Sequence, residues 1–250
     1  MTKIVQITDT HLFAEAHGRL GEVDVDASLT AVLAAVRRDH GDAELVLASG
    51  DLAQEEVAAS YTRLDEHLAA LPAPVYCLPG NHEDKALLAE QCARGRLRCD
   101  RRILVPGWQL VLLDSARPPE PGGHLEAEEL TFLEACLAEH PDRAALVVLH
   151  HPPVSVNSPW MDAMRVDNAP ALLEVLDRHP AVRAVVFGHV HQQFETVRNG
   201  VRYLASPSTC LQFRPGAAVS SYDDRPPGFR WLRLGADGGL ETAVERVAMG

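Results

Sequence analysis

The chain has 250 residues, of which 46% are hydrophobic and 23% charged, and its formal net charge is −12 at pH 7. This balance is typical of a soluble globular protein, and no stretch approaches the roughly 20 apolar residues of a membrane-spanning helix. Proteins that bind nucleic acid through their surface usually carry a basic patch. We therefore expect neither a membrane nor a nucleic acid as partner.

Five cysteines are scattered along the chain without a Cys-x-x-Cys pair. They are Cys77, Cys92, Cys99, Cys136 and Cys210. An odd number without disulfide or zinc-finger spacing favours reduced thiols. No signal-peptide pattern precedes Ile4. Both features predict a cytoplasmic protein.

The predicted elements alternate between buried strands and amphipathic helices over most of the chain. In chain order they are a strand at 4–8, a helix with the apolar face Leu29, Val32, Leu33 and Val36, a strand at 45–48, a helix with the apolar face Tyr61, Leu64, Leu68 and Leu71, strands at 75–78 and 110–113, a helix at 126–138, a strand at 145–149, a helix at 171–178 and a strand at 182–187. We expect Asp26 to cap the first helix, because a side-chain oxygen at that position accepts free N–H groups of the first turn.

The last quarter of the chain changes to antiparallel patterns. Residues 194–198 and 201–205 flank Asn199-Gly200, and residues 231–234 and 240–247 flank Asp237-Gly238-Gly239. Such turn residues between alternating segments predict β-hairpins. The segment 214–228, rich in Pro, Gly and Ser, predicts an irregular loop. We expect one α/β domain over residues 1–250, with C-terminal β-hairpin elements at about 194–250.

Polar clusters follow five of the predicted strands, at the point where each strand ends. They are Asp9-Thr10-His11, Gly50-Asp51, Gly80-Asn81-His82, His150-His151 and Gly188-His189-Val190-His191. Ligands of open α/β sheets bind at the carboxyl ends of the strands, so we expect one shared site. Imidazoles, carboxylates and an amide oxygen suit Zn, Mn or Fe, and the lack of thiolates argues against a structural zinc site.

The spacing of the paired ligands is compatible with two ions. Side chains two residues apart on extended backbone lie on one side of the strand, roughly 6.6 Å apart. Two ions of a hydrolytic pair lie about 3.5–4 Å apart, so His189 and His191 could each reach a different ion. Asp9 and His11 have the same spacing and could hold one ion together. We expect the glycines that precede three of the clusters to allow unusual backbone angles and close approach.

These motifs, in this order, resemble the calcineurin-like metallophosphoesterases: D-x-H, G-D, G-N-H, H and G-H-x-H. Longer stretches are similar to the bacterial class III 3',5'-cyclic-AMP phosphodiesterases, namely "QITDTHLF", "GDLAQ", "LPGNH", "LLDS", "LHHPP", "GHVHQ", "YLASPSTCLQF" and "PGFRWLRL". The resemblance covers about residues 4–247. It implies an α/β fold, a four-layer αββα sandwich of two mixed β-sheets flanked by helices.

The resemblance also implies a dinuclear metal centre. One ion takes Asp9, His11, Asp51 and His191, and Asp51 bridges to a second ion that takes Asn81, His150 and His189. Fe and Mn are the favoured metals, with Zn as the alternative. A hydroxide that bridges the ions attacks 3',5'-cyclic AMP and gives 5'-AMP, with substrate contacts from His11, Asp51, Asn81, His82 and His191. His82 is the implied catalytic proton donor for the leaving 3'-oxygen, and Asp51 is the implied catalytic bridge.

One position departs from the family pattern. The family usually continues G-N-H-D, whereas Glu83 follows His82 in this sequence. The added methylene moves the carboxylate, which puts in doubt any role in orienting His82. Elsewhere, Asp114 could orient a ligand imidazole or cap a turn, and Trp160 and Asp162 could reach the nucleotide. The resemblance assigns residues 206–213 to the base pocket.

Three other interpretations stay open or are set aside. The same fold could act on 2',3'-cyclic nucleotides or other phosphoesters, because the walls of the pocket and not the ligands select the substrate. A non-catalytic interaction scaffold is disfavoured by the complete set of seven ligands. A metallo-β-lactamase-like hydrolase would need H-x-H-x-D-H, and Gln192 follows His191. A homodimer also stays open, because Cys136 and Leu137 face either a core or a partner.

Overall fold

The computed structural model describes residues 1–249. Its strands are β1 (Thr2–Ile7), β2 (Arg19–Leu20), β3 (Val23–Asp24), β4 (Leu45–Ser49), β5 (Val75–Leu78), β6 (Leu97–Arg98), β7 (Arg102–Val105), β8 (Trp108–Leu112), β9 (Ala144–Val148), β10 (Val182–Phe187), β11 (Phe194–Arg198), β12 (Val201–Ala205), β13 (Gln212–Phe213), β14 (Tyr222–Asp223), β15 (Gly228–Leu234) and β16 (Leu240–Arg246). Its helices are α1 (Val25–Asp39), α2 (Ala58–Leu68), α3 (Lys85–Arg94), α4 (Ala127–Glu139), α5 (Pro159–Asp162) and α6 (Ala169–Arg178).

Two six-stranded mixed sheets dominate the described residues. The first has the order β16-β15-β1-β4-β5-β6, and the second has the order β11-β12-β10-β9-β8-β7. In the first sheet β1, β4, β5 and β6 are parallel. In the second, β8, β9, β10 and β12 are parallel. The antiparallel strands lie at the edges, where β15 and β16 complete the first sheet, and β7 and β11 flank the second. The parallel centres explain the nearly continuous apolar strands of the sequence.

Alternating side chains on the strands build three apolar cores. On β9, Leu146 and Val148 pack between the two sheets, whereas Ala145 and Val147 pack under the helices. One helix-side core joins the first sheet to α1, α2 and α3, and the other joins the second sheet to α4 and α6. The layers therefore run helix, sheet, sheet, helix, which confirms the predicted αββα sandwich. Cys136 and Leu137 are buried in the core beneath α4, so they do not form a surface for a partner.

Most predicted elements are present within two or three residues, but the cap of α1 was placed wrongly. Asp24 is the N-cap and accepts a hydrogen bond from Ala27 N–H at 3.0 Å. Asp26 lies in the first turn and is instead an acceptor for Arg63 and His67 of α2. The sequence prediction also missed α3, whose only buried residue is Leu88, because so narrow an apolar stripe gives little periodicity.

The cysteine prediction was wrong for one pair. Cys92 at the end of α3 and Cys99 after β6 form a disulfide, while Cys77, Cys136 and Cys210 are free and buried. The pairing follows from the short turn between α3 and β6, which brings two residues seven apart in sequence together. Within residues 1–249, no helix is long and apolar enough to cross a membrane.

Candidate metal centre

The five polar clusters meet where strands of the two sheets end. Backbone hydrogen bonds join them: Asp9 N–H donates to the Gly50 carbonyl at 3.0 Å, and Gly188 N–H donates to the His150 carbonyl at 3.1 Å. His189 N–H also donates to both carboxylate oxygens of Asp9, at 3.1 Å each. The last contact ties a loop of the second sheet to a loop of the first. The site therefore lies on the seam between the sheets.

One group of side chains comprises Asp9, His11 and His191. Their ligand atoms lie within 4.8 Å of one another, and all three residues are buried. His191 Nε2 is 3.3 Å from Asp9 Oδ1, and His11 Nε2 is 3.2 Å from His191 Nε2. Two ring nitrogens at this distance share a proton or point their lone pairs at one cation. This group can hold one metal ion.

A second group comprises His150, His189 and Asn81. His189 Nδ1 is 3.1 Å from Asn81 Oδ1, and the ring centroids of His150 and His189 are 5.2 Å apart. Asp51 lies between the two groups, because its Oδ2 is 3.3 Å from His150 Nε2 and 3.8 Å from His11 Nε2. A carboxylate in this position can reach an ion in either group.

The outer ring nitrogens fix the orientation of three imidazoles. His150 Nδ1 lies 2.9 Å from the Ser49 carbonyl, and His191 Nδ1 lies 2.9 Å from the Leu211 carbonyl. His11 Nδ1 is likewise 2.9 Å from Gln54 Oε1. A carbonyl oxygen only accepts, so each Nδ1 carries the proton and each Nε2 directs its lone pair inwards.

Two inner nitrogens have no hydrogen-bond partner. They are His150 Nε2 and His189 Nε2, and both are buried. Buried polar atoms without a partner are costly and rare in native proteins, so each needs a physical explanation. A cation among these lone pairs and carboxylates supplies one, and imidazole, carboxylate and amide oxygen are the donors that Zn, Mn and Fe accept. The residues present therefore fit a metal centre.

The pKa values of the buried histidines differ, and they show where the cluster can hold positive charge. Burial lowers the pKa of His11 to about 4 and that of His189 to about 3, so both rings are neutral. Burial acts in the same direction on His150, but the Asp51 carboxylate outweighs it and raises the pKa of His150 to about 9. A second proton on His150, at the Nε2 that lies 3.3 Å from Asp51 Oδ2, would balance the buried anionic charge. A metal ion that binds here would displace this proton and take the Nε2 lone pair instead.

The backbone of the ligand loops is not the extended chain that the spacing argument assumed. The φ angles are positive for Asp9 (55°), His11 (47°), Asp51 (49°), His189 (66°) and His191 (48°). Each such residue costs on the order of 1–3 kcal/mol and is typical of functional sites. His189 and His191 still reach different groups, but through left-handed backbone and not through the pleat of a strand.

Glycines let the loops approach one another. Gly50 has a φ of 91°, as expected for a residue before a strained ligand. At Gly80, a Cβ would overlap the backbone nitrogen and Oδ1 of Asp51, and at Gly188 it would overlap Thr8 Oγ1. Close approach, not a positive φ, therefore requires glycine at the latter two positions.

Comparison with protein families agrees with this geometry. The model of the calcineurin-like phosphoesterases matches residues 2–193. The chain belongs to this family. The resemblance inferred from the motifs is therefore confirmed at the level of the family and of its metal-dependent hydrolase class.

Curated relatives cover nearly the whole chain. The Pseudomonas aeruginosa 3',5'-cyclic adenosine monophosphate phosphodiesterase CpdA is 40% identical over 98% of this chain and 89% of its own length. The Escherichia coli K12 protein of the same name is 40% identical over 98% of this chain and 90% of its own. A Nostoc 3',5'-cyclic-nucleotide phosphodiesterase is 37% identical over 98% of this chain and 92% of its own.

A solved structure shows the same fold. A dimetal phosphatase from Danio rerio aligns with a TM-score of 0.69 at 15% identity, over 99% of each chain. Such low identity supports the architecture alone. This chain therefore has the architecture of known phosphoesterase structures, and its proposed ligand loops lie at the seam between the two sheets.

Glu83 holds two ligand loops together. Its carboxylate accepts hydrogen bonds from the N–H groups of Asp51 (2.9 Å), Leu52 (2.7 Å), Ala53 (3.1 Å) and Gly80 (2.5 Å). Burial, and then the charge of Asp51, raise the pKa of Glu83 to about 7. The hydrogen bonds of the Glu83 carboxylate thus go to backbone N–H groups, and they fix the loop of Asp51. Sequence reasoning missed this role, because only the fold brings these N–H groups together.

The structure places His82 beside the centre but places Asp114 away from the imidazoles. His82 is half-buried at the edge of the centre, with its ring centroid 5.0 Å from that of His11, and its N–H donates to Asp51 Oδ1 at 3.0 Å. Asp114 pairs with Lys85 and accepts from Ala116 N–H, so the imidazole-orienting alternative was wrong. The neighbouring Ser115 does contact an imidazole, because its Oγ lies 2.9 Å from His151 Nδ1.

A cavity of about 270 Å³ opens beside the centre. Its polar side is formed by His82 and five of the proposed ligands, namely His11, Asp51, Asn81, His189 and His191. Its apolar side is formed by Leu20, Trp160, Met161, Met164, Leu211, Phe213 and Tyr222. Trp160 lines the cavity, whereas Asp162 accepts hydrogen bonds from Val156 N–H and Ser155 Oγ and does not line it. Of residues 206–213, Leu211 and Phe213 line it. Ser206, Ser208 and Gln212 are buried in hydrogen bonds. Leu20 and Tyr222 had no signal in the sequence, because short two-stranded ladders bring them to the wall.

Proposed function

We propose that the chain hydrolyses 3',5'-cyclic AMP to 5'-AMP. The observation that carries the proposal is the convergence of six Asp and His side chains and Asn81, the seven proposed ligands, beside a cavity with an apolar wall. Relatives that are 35–40% identical over nearly the whole chain bear the name of this activity. Pocket and relatives together favour a cyclic nucleotide over an arbitrary phosphoester.

Two metal ions complete the proposed site. Asp9, His11, Asp51 and His191 would hold the first, and Asp51, Asn81, His150 and His189 the second. Iron and manganese are the proposed metals, with zinc as the alternative, since all three accept nitrogen and oxygen donors. When bound, the pair supplies an activated water-derived nucleophile and neutralises phosphate charge in an acidic protein.

His82 is the proposed proton donor. Its ring lines the cavity next to His11, and its backbone N–H is anchored on Asp51. The leaving 3'-oxygen needs a proton when its bond to phosphorus breaks, and a positioned imidazolium typically contributes ~10²–10⁴-fold to the rate. His11, Asp51, Asn81 and His191 would line the phosphate side.

The apolar wall would hold the base. Trp160 packs edge-on against Phe213, with centroids 4.8 Å apart, and Phe213 is parallel to Tyr222 at 6.0 Å. Aromatic rings of this kind bind a flat purine through dispersion and offset stacking. The phosphate and base would then occupy opposite sides of one cavity.

The test is product release from 3',5'-cyclic AMP by Mn²⁺-loaded protein. A metal-stripped sample and Asp51→Ala run beside it. We expect 5'-AMP from the loaded wild type alone, and fewer than two ions per chain in the variant, because the shared carboxylate is lost. Asp51→Ala protein that retains two ions would refute the bridging role.

Other substrates give the contrary outcomes. Metal-dependent cleavage of 2',3'-cyclic AMP or of an aryl phosphodiester, with 3',5'-cyclic AMP left intact, would keep the centre and discard the substrate. Inactivity on all three by protein with two bound ions would favour an interaction scaffold. Cyclic GMP in the same assay measures base preference.

We further propose that residues 1–250 work as one metallophosphoesterase domain in the cytoplasm. The two sheets each supply ligand loops to one seam, which supports a single functional unit. Neither a nucleic acid nor a membrane is a proposed partner. Whether the chain forms a homodimer stays open to a measurement of mass in solution.

A further inference from the structure

Three sulfur atoms form a cluster away from the metal centre. Cys77 Sγ lies 3.6 Å from Cys92 Sγ and 3.8 Å from Cys99 Sγ, and Cys92 and Cys99 are joined as a disulfide. Cys77 is buried, Cys92 half-buried and Cys99 exposed. The catalytic proposal uses none of them. A third sulfur against a disulfide therefore needs its own explanation.

All three cysteines belong to one strand–helix–strand unit. Cys77 lies on β5, Cys92 near the end of α3, and Cys99 directly after β6, which pairs in parallel with β5. The same unit carries Asn81 and His82 in the loop between β5 and α3. The sulfur cluster thus shares its supersecondary unit with two residues of the candidate metal centre, although no sulfur belongs to that centre.

The distances from Cys77 fit shared ligation of an ion. Thiolates that share a tetrahedral ion with metal–sulfur bonds of about 2.3 Å lie about 3.8 Å apart. The two separations from Cys77 are 3.6 and 3.8 Å. Opening the Cys92–Cys99 bond would let the third separation widen to the same value.

The same distances disfavour an exchange role for Cys77. A thiolate that attacks a disulfide approaches along the S–S axis, so it is farther from one sulfur than from the other by about 2 Å, the length of the bond. Cys77 is nearly equidistant from both sulfurs. It lies beside the bond, where it cannot displace either sulfur without a shift.

The charge around the cluster is unusual for this protein. Five arginines occur between residues 94 and 102, in a chain with net charge −12: Arg94, Arg96, Arg98, Arg101 and Arg102. Arg98 directly precedes Cys99, and Arg96 and Arg98 share a surface hollow with Cys92. Arg94, Arg101 and Arg102 are paired with carboxylates, which leaves Arg96 and Arg98 to offset the negative charge of a metal–thiolate complex. Burial raises the pKa of the Cys77 thiol, so an ion must displace its proton. The exposed Cys99 gives an ion a path of entry.

We propose that Cys77, Cys92 and Cys99, in their reduced form, bind one thiophilic metal ion through three thiolates. Thiolate donors select ions such as Zn²⁺ or Cu⁺ and so differ from the nitrogen and oxygen donors of the catalytic centre. The disulfide is the oxidised form of the same cluster. Solvent at Cys99 supplies a fourth ligand where a divalent ion requires one.

The chemistry balances with a low-molecular-weight thiol as reductant. Two such thiols reduce the Cys92–Cys99 bond, giving two protein thiols and one small-molecule disulfide. Binding of a divalent ion then releases three protons from the three thiols. The resulting complex has a net charge of −1, which lies beside Arg96 and Arg98. In return, the ion ties β5, α3 and β6 to one another.

Cobalt(II) provides a test that does not depend on activity. Thiolate ligation to Co²⁺ gives a charge-transfer absorption in the near ultraviolet that a centre of nitrogen and oxygen ligands lacks. The protein is reduced with an excess of small thiol, desalted without oxygen and titrated with Co²⁺. We expect the band to saturate with one equivalent of thiolate-bound ion and to be displaced by Zn²⁺.

Two variants separate the cluster from other thiols. Cys99→Ser changes an exposed side chain, so the chain should fold, and we expect at least a tenfold loss of the Co²⁺–thiolate band. Cys136→Ser, a free cysteine outside the cluster, is the matched control and should retain it. Circular dichroism establishes that both variants are folded.

Several results would overturn the proposal. Reduced wild type with all five thiols titratable but no charge-transfer band has no such site. A charge-transfer band that persists in folded Cys99→Ser comes from other thiols. A Cys92–Cys99 bond that is not reduced by excess thiol cannot supply two of the three ligands. None of these results bears on cyclic-nucleotide hydrolysis, which is measured separately.

Discussion

The metal-ligand loops and the apolar wall of the cavity differ in how their side chains are held. Six of the proposed ligand residues are at most 6% exposed, and hydrogen bonds join their loops within and between the sheets. The wall residues come from short ladders, loops and the single turn of α5, and their exposure runs from 1% for Met161 to 58% for Tyr222. The ligand loops are therefore held from several sides, whereas the exposed part of the wall can change with little cost to the rest of the fold. We expect substitutions in the loops to abolish metal binding and substitutions in the wall to alter substrate affinity.

The largest expected effect is that of Gly80→Ala. The added Cβ would overlap the backbone nitrogen of Asp51, so the bridging carboxylate must move. We expect fewer than two ions per chain and no detectable turnover, as measured by elemental analysis and product release. Gly122→Ala is the control, since its Cβ would meet nothing nearer than 3.6 Å. Full metal content in Gly80→Ala would show that these loops are more pliable than their packing indicates.

His82→Ala tests whether proton transfer to the leaving group can be lost without loss of metal binding. We expect turnover to fall by about 10²–10⁴-fold with both ions retained, because the ring supplies a proton and no ligand atom. An aryl phosphodiester with a good leaving group needs no such proton and should lose far less rate. Loss of metal together with activity would mean that His82 is a ligand.

Glu83→Gln is expected to have a smaller effect through the loop of Asp51. The amide replaces an acceptor oxygen by a donor, and leaves buried N–H groups unpaired at about 1–3 kcal/mol each. We expect a lower free energy of unfolding in urea and weaker metal affinity. Glu90→Gln, at an exposed position of α3, should change neither. Unchanged stability of Glu83→Gln would contradict the bracing role of this carboxylate.

The smallest effect is expected in the wall. Phe213→Leu removes a ring that packs against Trp160, Tyr222 and the proposed ligand His191. Loss of stacking on the base is worth about 1 kcal/mol, which is a roughly fivefold rise in KM for cyclic AMP, and Leu keeps apolar contact with His191. Turnover at saturation and metal content should stay near those of wild type. Phe132→Leu, on α4 beneath Arg101, is the aromatic control. A collapse of metal content in Phe213→Leu would show that the wall also supports His191.

The ligand types and most elements of the fold could be predicted from the sequence because their signals are local. A short apolar segment followed by Asp, Asn or His marks the end of a strand wherever that strand lies in the sheet. The hairpin of β11 and β12 was predicted to the residue, because Asn199-Gly200 specifies a tight turn. Helix α3 was missed because the sequence signal for a helix is a repeating apolar face. With Leu88 as its single buried residue, α3 has almost no such repeat.

The sequence by itself determined that this chain brings Asp, Asn and His side chains to the ends of five strands of an α/β domain. The αββα sandwich followed from the resemblance of its motifs to a known family. Only the tertiary structure decided how Glu83 braces two loops, that the ligands sit on left-handed backbone, which side chains form the wall, and that three cysteines meet. The physical reason is that periodicity and turn chemistry act between neighbours in the chain. A buried carboxylate or thiol finds its partners only when packing of the sheets has brought distant loops together.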